Sequence, residues 1–215
     1  MSDKSSYPIP AKNVRAELEI KRSRFIATAG HTIDREKVDR FINAVRKEFP
    51  DAAHHCWACV AGNPFDAPAV GMSDDGEPSG TAGKPMLNIL LHSGIGEITV
   101  VVSRYFGGTK LGTGGLLRAY TGAVQQVLKK LPLKTFVRTH TLEVWLAYAD
   151  ENAVRLICDQ MKAEIVEVIY REDILFKINI PENLSRDFKR RIRDRTHGQA
   201  RIAYTADPSD ESRPL

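Results

Sequence analysis

The chain lacks several features that would assign its class at once. None of its apolar runs approaches the roughly 20 residues a helix needs to cross a bilayer, so it does not read as a membrane protein. Cysteine is scarce. Cys56, Cys59 and Cys158 are the only three, which excludes a secreted disulfide framework and fits a reducing compartment. The start, Met1 to Pro10, is polar and proline-bearing and does not read as a signal peptide, so the expected location is the cytoplasm. Charge of one sign is also missing as a strong signal: the net charge of +4 does not by itself predict nucleic acid.

The familiar nucleotide motifs are absent too. Gly83-Lys84 is followed by Pro85 where a P-loop needs Ser or Thr, and Pro78 stands where that motif needs its first glycine. Gly112-Thr113-Gly114 meets Leu117 where a dinucleotide fingerprint needs glycine. Cys56 and Cys59 have the spacing of a redox pair or half a zinc site, yet no second such pair exists. On a strand, residues three apart face opposite ways, so both read as buried structural cysteines.

What is present is a globular composition, 42% hydrophobic over 215 residues, enough to bury a sizeable core in one large or two ordinary domains. The stretch Arg104 to Arg118 organises the reading. Ile98 to Val102 is nearly unbroken and β-branched, as in a strand buried on both faces. Five glycines follow between Gly107 and Gly115, and then Leu116, Leu117, Tyr120, Val124, Val127, Leu128 and Leu131 recur at helical spacing. Strand, glycine loop and helix is the expected order. A second such loop, Gly71 to Met86, runs into an apolar helical segment, and the two loops are expected to lie side by side.

Along the chain, Val14 to Ile20 and Arg24 to Ala29 read as a hairpin. Asp34 caps a helix carrying Val38, Phe41, Ile42, Val45 and Phe49. His54 to Ala61 reads as a strand, and the residues from Gly62 to the second loop read as one long loop. Leu131-Pro132-Leu133 opens a linker, which puts a domain boundary near residue 135. Beyond it, Thr139 to Tyr148, Ala153 to Met161, Glu164 to Arg171, Asp173 to Ile180, Glu182 to Thr196 and Arg201 to Thr205 give the order βαββαβ, the ferredoxin-like arrangement. Residues 1–135, 136–207 and 208–215 are thus read as an N-terminal domain, a ferredoxin-like domain and a loose tail, in an α+β chain.

Charge is unevenly divided between these parts. Up to Thr135 there are 18 Lys and Arg against 13 Asp and Glu, and after it 13 against 14. The basic excess lies with the glycine loops. An anion site built from the amides of Gly112, Thr113, Gly114 and Gly115 with Lys84, Arg104, Lys110 and Arg118 is one reading of them, and purely structural turns are the other. Tyr105 and Phe106 stack on bases if they are exposed. Asp74, Asp75 and Glu77, with His54 or His55, form an alternative acid-base or Mg²⁺ constellation. Against it, acids at a glycine-proline turn commonly cap loop amides. The run Lys189 to Arg195 reads as a solvated helix face.

Three segments then carry a resemblance: His54-His-Cys-Trp57, Ser73 to Pro85 and Val102 to Tyr120. Together they closely resemble the IMPACT family, in its bacterial YigZ-like branch, over almost the whole chain; Cys59 departs from the family pattern. The resemblance implies an N-terminal domain of the left-handed βαβ kind shared with ribosomal proteins and with domain IV of elongation factor G. It implies a C-terminal module like that factor's ferredoxin-like domains. Eukaryotic relatives look like translational regulators acting through a large ribosome-associated partner, which is not carried over to a bacterial-type chain. The expected function is that of a cytoplasmic, translation-associated protein that binds RNA, a ribosomal partner or a translation factor through the basic glycine loops, without cofactor or metal. The alternative is a metal-dependent hydrolase or phosphoryl-group enzyme acting on a small molecule at the same loops.

Overall fold

The computed structural model describes residues 6–66 and 68–205. The expected loose tail, 208–215, and the first residues of the expected frayed start lie outside them. The chain divides into two compact units, one of Tyr7–Phe136 and one from Val137 onward. Among the described residues no helix is long and apolar enough to cross a membrane.

The first unit is built on an antiparallel five-stranded sheet. Its strands are β2 (Val14–Ile20), β3 (Ser23–His31), β4 (His54–Ala61), β5 (Ala69–Ser73) and β6 (Ile98–Tyr105), in the order β2-β3-β6-β4-β5. Lys21 and Arg22 both take left-handed backbone angles at the β2–β3 turn. Helix α1 (Arg35–Glu48) starts where Asp34 accepts the Lys37 amide. It buries Val38, Ile42 and Val45 against Cys59, Ala61 and Val101 on one face of the sheet. Helices α2 (Gly83–Ser93) and α3 (Gly112–Lys130) cover the other face, where Phe25, Cys56, Val100, Val102, Met86, Leu90, Tyr120 and Val124 form the main core. Cys56 and Cys59 thus sit on opposite faces, as strand alternation requires.

This topology forces an unusual crossover. β3 and β4 are parallel to each other, as are β5 and β6, because each pair is separated by one antiparallel strand. The first pair is joined through α1 on one face and the second through α2 on the other. Turning the sheet in its own plane superposes the two connections with their helices on opposite sides. One of them must therefore be left-handed, against the strong right-handed preference.

Several boundaries differ from the sequence expectation. The stretch read as one long loop after Gly62 contains the edge strand β5. Part of the start read as frayed is β1 (Ser6–Pro10), and the residues read as a linker contain β7 (Leu133–Val137); these two form a separate two-stranded sheet. Leu117, assigned to the buried stripe of α3, is 44% exposed.

The second unit runs β8 (Thr139–Leu146), α4 (Glu151–Met161), β9 (Glu164–Tyr170), β10 (Ile174–Pro181), α5 (Ser185–Arg195) and β11 (Arg201–Tyr204). Its sheet order, β11-β8-β10-β9 with every neighbour antiparallel, is the ferredoxin-like one. Leu142, Val144 and Leu146 alternate inward on β8, and Ile174, Phe176, Ile178 and Ile180 do so on β10. Phe188 and Ile192 close this core from α5.

Candidate functional site

The register of the first sheet sets one cross-strand row at its end: Phe25 on β3, Arg104 on β6 and His54 on β4. Arg104 follows Val100 and Val102 on the face that α2 and α3 cover, so a guanidinium is carried into the edge of the main core. The structure balances it with a carboxylate. Arg104 Nη1 donates to Glu77 Oε1 at 2.6 Å, and their side chains are 8% and 2% exposed. The Tyr120 hydroxyl donates to the same oxygen at 2.7 Å. Cys56 Sγ lies 2.9 Å from the Asp74 carbonyl oxygen and 3.3 Å from the Tyr120 hydroxyl. Four elements far apart in sequence thus meet in one polar knot. Burial, with Cys56 and Glu77 nearby, pushes the Tyr120 hydroxyl up, and burial pushes the Cys56 thiol up to about 12, so both are held protonated.

The acidic loop is held by backbone as much as by side chains. Asp75 and Gly76 take successive left-handed angles, and the Glu77 amide closes the turn on the Asp74 carbonyl. The Asp74 carboxylate accepts the amides of Gly80, Ala82 and Gly83, which orders the loop into the start of α2. Burial pushes Asp74 up, but these three amides outweigh it and hold the carboxyl below its ordinary value. Asp75 pairs with Arg46 at 2.7 Å and accepts the His55 amide. His54 Nδ1 bonds the Asp75 carbonyl, and His55 Nδ1 bonds Ser103. Burial pushes the His55 imidazole down, toward its neutral form.

Each member of the alternative catalytic set, Asp74, Asp75, Glu77, His54 and His55, therefore has a structural partner. Among the described residues no group of three or more His, Cys, Asp or Glu is placed to hold a metal ion.

The two glycine-rich loops do come together. A cavity of about 300 Å³ lies between them, lined by Glu77, Pro78, Arg104, Phe106, Lys110, Leu111, Gly112, Thr113 and Leu116. Its wall carries the start of α3, a 19-residue helix whose N-cap position is Leu111, with no side-chain cap and no acidic residue in the first turn. Its first amides therefore keep the partial positive charge of a helix N-terminus. Lys110 beside them is exposed and has no ion-pair partner among the described residues. Phe106 is 54% exposed, and the Arg104 guanidinium lies 5.7 Å from its ring centre.

Of the residues nominated from sequence, Arg104, Phe106, Lys110, Gly112 and Thr113 line the cavity. Lys84, Tyr105, Gly114, Gly115 and Arg118 do not. Lys84 is exposed on the first turn of α2, and Arg118 is exposed on α3. Tyr105 is half-buried with Arg24 against its ring. Sequence reasoning did not place Tyr120 and Cys56 beside the site, because both read as ordinary apolar positions of a helix and a strand. The apolar walls Pro78, Leu111 and Leu116 carry no sequence signal beyond their place next to the glycines.

With this geometry in view, comparison with known proteins assigns the family. Residues 21–128 match the Impact N-terminal domain, and residues 144–199 match a domain of unknown function, DUF1949. The chain belongs to the IMPACT family, which is associated with the regulation of translation. It is 43% identical over 199 residues to IMPACT family member YigZ of Escherichia coli, covering 92% of this chain and 97% of that one. It is 40% identical to an IMPACT family member of Haemophilus influenzae, over 91% and 95% of the two chains. IMPACT family member YvyE of Bacillus subtilis is 33% identical, over 86% and 85%. A solved structure described only as a hypothetical protein matches with a TM-score of 0.68 at 40% identity, covering 94% of this chain and 98% of that one. The cavity and its knot fall wholly within the Impact N-terminal match.

Proposed function

We propose that this IMPACT family member is a cytoplasmic, translation-associated binding protein, not an enzyme, and that its N-terminal domain holds RNA at the glycine-rich cavity. One observation carries the reading: the uncapped start of α3, the unpaired Lys110 and an arginine at the end of the central strand β6 converge on one concave surface. Helix N-termini and unpaired cations attract phosphate oxygens, and an exposed aromatic ring beside them offers a stacking surface for a base. The basic excess of the first 135 residues supports the same polarity. Association with the family adds the context of translation, and ribosomal RNA is the most abundant polyanion there.

The experiment is co-sedimentation with ribosomes and binding to single-stranded RNA across a salt series. Affinity is expected to fall with salt by about 0.7 log units per log unit for each phosphate neutralised on a single strand. Lys110→Ala is expected to weaken binding and flatten that slope by about one contact, and Lys84→Ala, outside the cavity, to do less. Absence of binding at low salt, or binding indifferent to Lys110→Ala, rejects the proposal.

A further inference from the structure

The cavity has features that an open track for an RNA backbone does not need. Its volume of about 300 Å³ sits at the small end of ligand cavities, which run to roughly 1,000 Å³, so it admits a single nucleotide unit at most. Its donors come from two elements, the end of the central strand β6 and the start of α3.

Arg104 supplies the sheet side. The residue is 7% exposed, yet its Nε is buried with no hydrogen-bond partner. Glu77 occupies Nη1 alone. The edge formed by Nε and Nη2 is thus left over, and that edge carries two roughly parallel N–H donors, the pattern that accepts two oxygens of one anion. A buried donor without a partner costs free energy and calls for an explanation, and Arg104 is one of the residues that line the cavity.

The helix side shows a second unexplained choice. Gly112 has a left-handed φ of 70°, which accounts for a glycine there. Gly114 does not: its angle is ordinary and a Cβ built on it would meet nothing within 4 Å. Glycine in a helix costs about 1 kcal/mol relative to alanine. No packing constraint within the protein offsets that cost. Gly114 lies outside the cavity lining, in the first turn of α3 beside Gly112 and Thr113, and its bare backbone leaves the first amides of that helix accessible.

Charge selects the ligand class. Glu77 neutralises Arg104, which leaves Lys110 and the helix end, about one and a half positive charges. A phosphate monoester carries roughly −1.5 to −2 at neutral pH and offers three free oxygens, enough to meet both sides of the cavity. A diester within a chain offers two oxygens and one charge. The exposed ring of Phe106 lies at the same cavity, where a base attached to that phosphate can stack.

We infer that the cavity is a phosphate-monoester pocket, taking the 5′-phosphate of a nucleotide between the Nε–Nη2 edge of Arg104, Lys110 and the first amides of α3, with the base against Phe106. The inference rests on the RNA-binding reading of the same loops and narrows it to a chain end or a free mononucleotide.

Titration calorimetry on the full chain at low salt tests it with two pairs of probes. One pair is a nucleoside 5′-monophosphate and its nucleoside; the other is a short single-stranded RNA bearing a 5′-phosphate and the same RNA with a 5′-hydroxyl. In each pair the phosphorylated probe is expected to bind at least about ten-fold more tightly. Gly114→Glu places a carboxylate in the first turn of α3, where it favours the helix, so this variant is expected to melt no lower than the parent and to lose the phosphate preference. Preference in both pairs, abolished by Gly114→Glu, supports the inference and the RNA reading together. Preference in the nucleotide pair without binding of either RNA upholds the pocket for free nucleotides and overturns the RNA reading. Equal binding of the two RNAs, weakened by salt and by Lys110→Ala, leaves the RNA reading in place and overturns the inference. Undiminished phosphate preference in Gly114→Glu overturns it as well, and binding of no probe overturns both.

Discussion

Replacing Glu77 by Gln tests how the floor of the cavity is held. The Glu77 and Arg104 side chains are 2% and 8% exposed, and one carboxylate oxygen takes both the Arg104 Nη1 and Tyr120 hydroxyl hydrogen bonds. Removing one partner of such a pair strands the other charge away from water, at a cost of about 3–5 kcal/mol. The Gln amide keeps an oxygen for Tyr120, so Glu77→Gln is expected at the lower end, about 3 kcal/mol. Arg104→Met strands the carboxylate with the Tyr120 hydroxyl alone and is expected to cost about 3–4 kcal/mol. The double variant strands neither charge. Neutral replacements of similar volume are often tolerated at buried pairs, so its cost should be no greater than that of either single change. The coupling is then about 3 kcal/mol, well beyond the few tenths expected of independent sites.

Urea unfolding measures this directly. Trp57 and Trp145 are the only two tryptophans and lie one in each unit, so a Trp145→Phe background leaves fluorescence that reports the N-terminal domain. With a slope of about 1–3 kcal/mol/M, the single changes move the midpoint by roughly 1–4 M. Additive costs, or a Glu77→Gln cost below about 1 kcal/mol, would refute the claim that the two charges are held against each other in a dry site.

Other expectations bear on the surrounding loops. The depressed Asp74 carboxyl stabilises the fold above its unfolded pKa of about 3.9 and loses that contribution as pH falls through its lower folded value. Asp74→Asn should therefore cost about 1–3 kcal/mol in urea unfolding at pH 7, and the gap to the parent should shrink below about pH 4. All three cysteines are buried, and burial pushes the thiols up, Cys56 to about 12 and Cys158 to about 11. Under a thiol-titrating reagent at mildly alkaline pH none should react before unfolding, and prompt labelling of Cys56 would contradict a packed knot. A Cβ at Gly107 would lie 2.0 Å from the Arg22 carbonyl carbon, so Gly107→Ala should cost about 1–3 kcal/mol. Gly114→Ala, in open space, should instead stabilise by about 1 kcal/mol. The same urea assay reads both, and a matching sign would undo the distinction drawn between these two glycines.

What could be read from sequence was what local chemistry specifies. Helix α1 is announced by Asp34 and its apolar stripe, and β10 by strict alternation from Ile174 to Ile180. Strand β5 has no such mark. Ala69-Val-Gly-Met-Ser73 carries a glycine at its centre and is mostly exposed, and it is a strand because β4 offers it an edge. At β1, Pro8 and Pro10 cannot donate to a ladder, so its pairing with β7 is a tertiary fact. The site divides the same way. Glycines and cations beside a helix start point to an anion from sequence alone. Arg104 and Cys56 are brought near each other by strand register, Glu77 and Tyr120 reach them from a loop and a helix, and each alone has an ordinary local explanation.

That knot raises an energetic question whose answer links stability to binding. A buried arginine-carboxylate pair is seldom the most stable filling for its space, since an apolar pair of the same volume avoids the desolvation of both charges. Its surroundings on that face are largely apolar, with Phe25 beside Arg104 in the row and the core of α2 and α3 above it. If the pair existed only to fill space at the end of the sheet, the guanidinium would be expected to use all of its donors on protein. It does not: Glu77 and Tyr120 fix one side of the knot, and the buried Nε of Arg104, a residue that lines the cavity, stays without a partner. Glu77 also removes the net charge that would make Arg104 too costly to bury. The same carboxylate thus fixes the arginine through Nη1 and leaves its Nε without a partner, which is how a binding group is preorganised by a neighbour. It follows that Glu77→Gln should weaken phosphate binding even at temperatures where the variant is fully folded. The ligand would then meet a mobile guanidinium and lose affinity to the cost of ordering it, although the local positive charge had increased. Tighter binding in that variant would mean that net charge, and not the fixed edge of Arg104, governs the pocket.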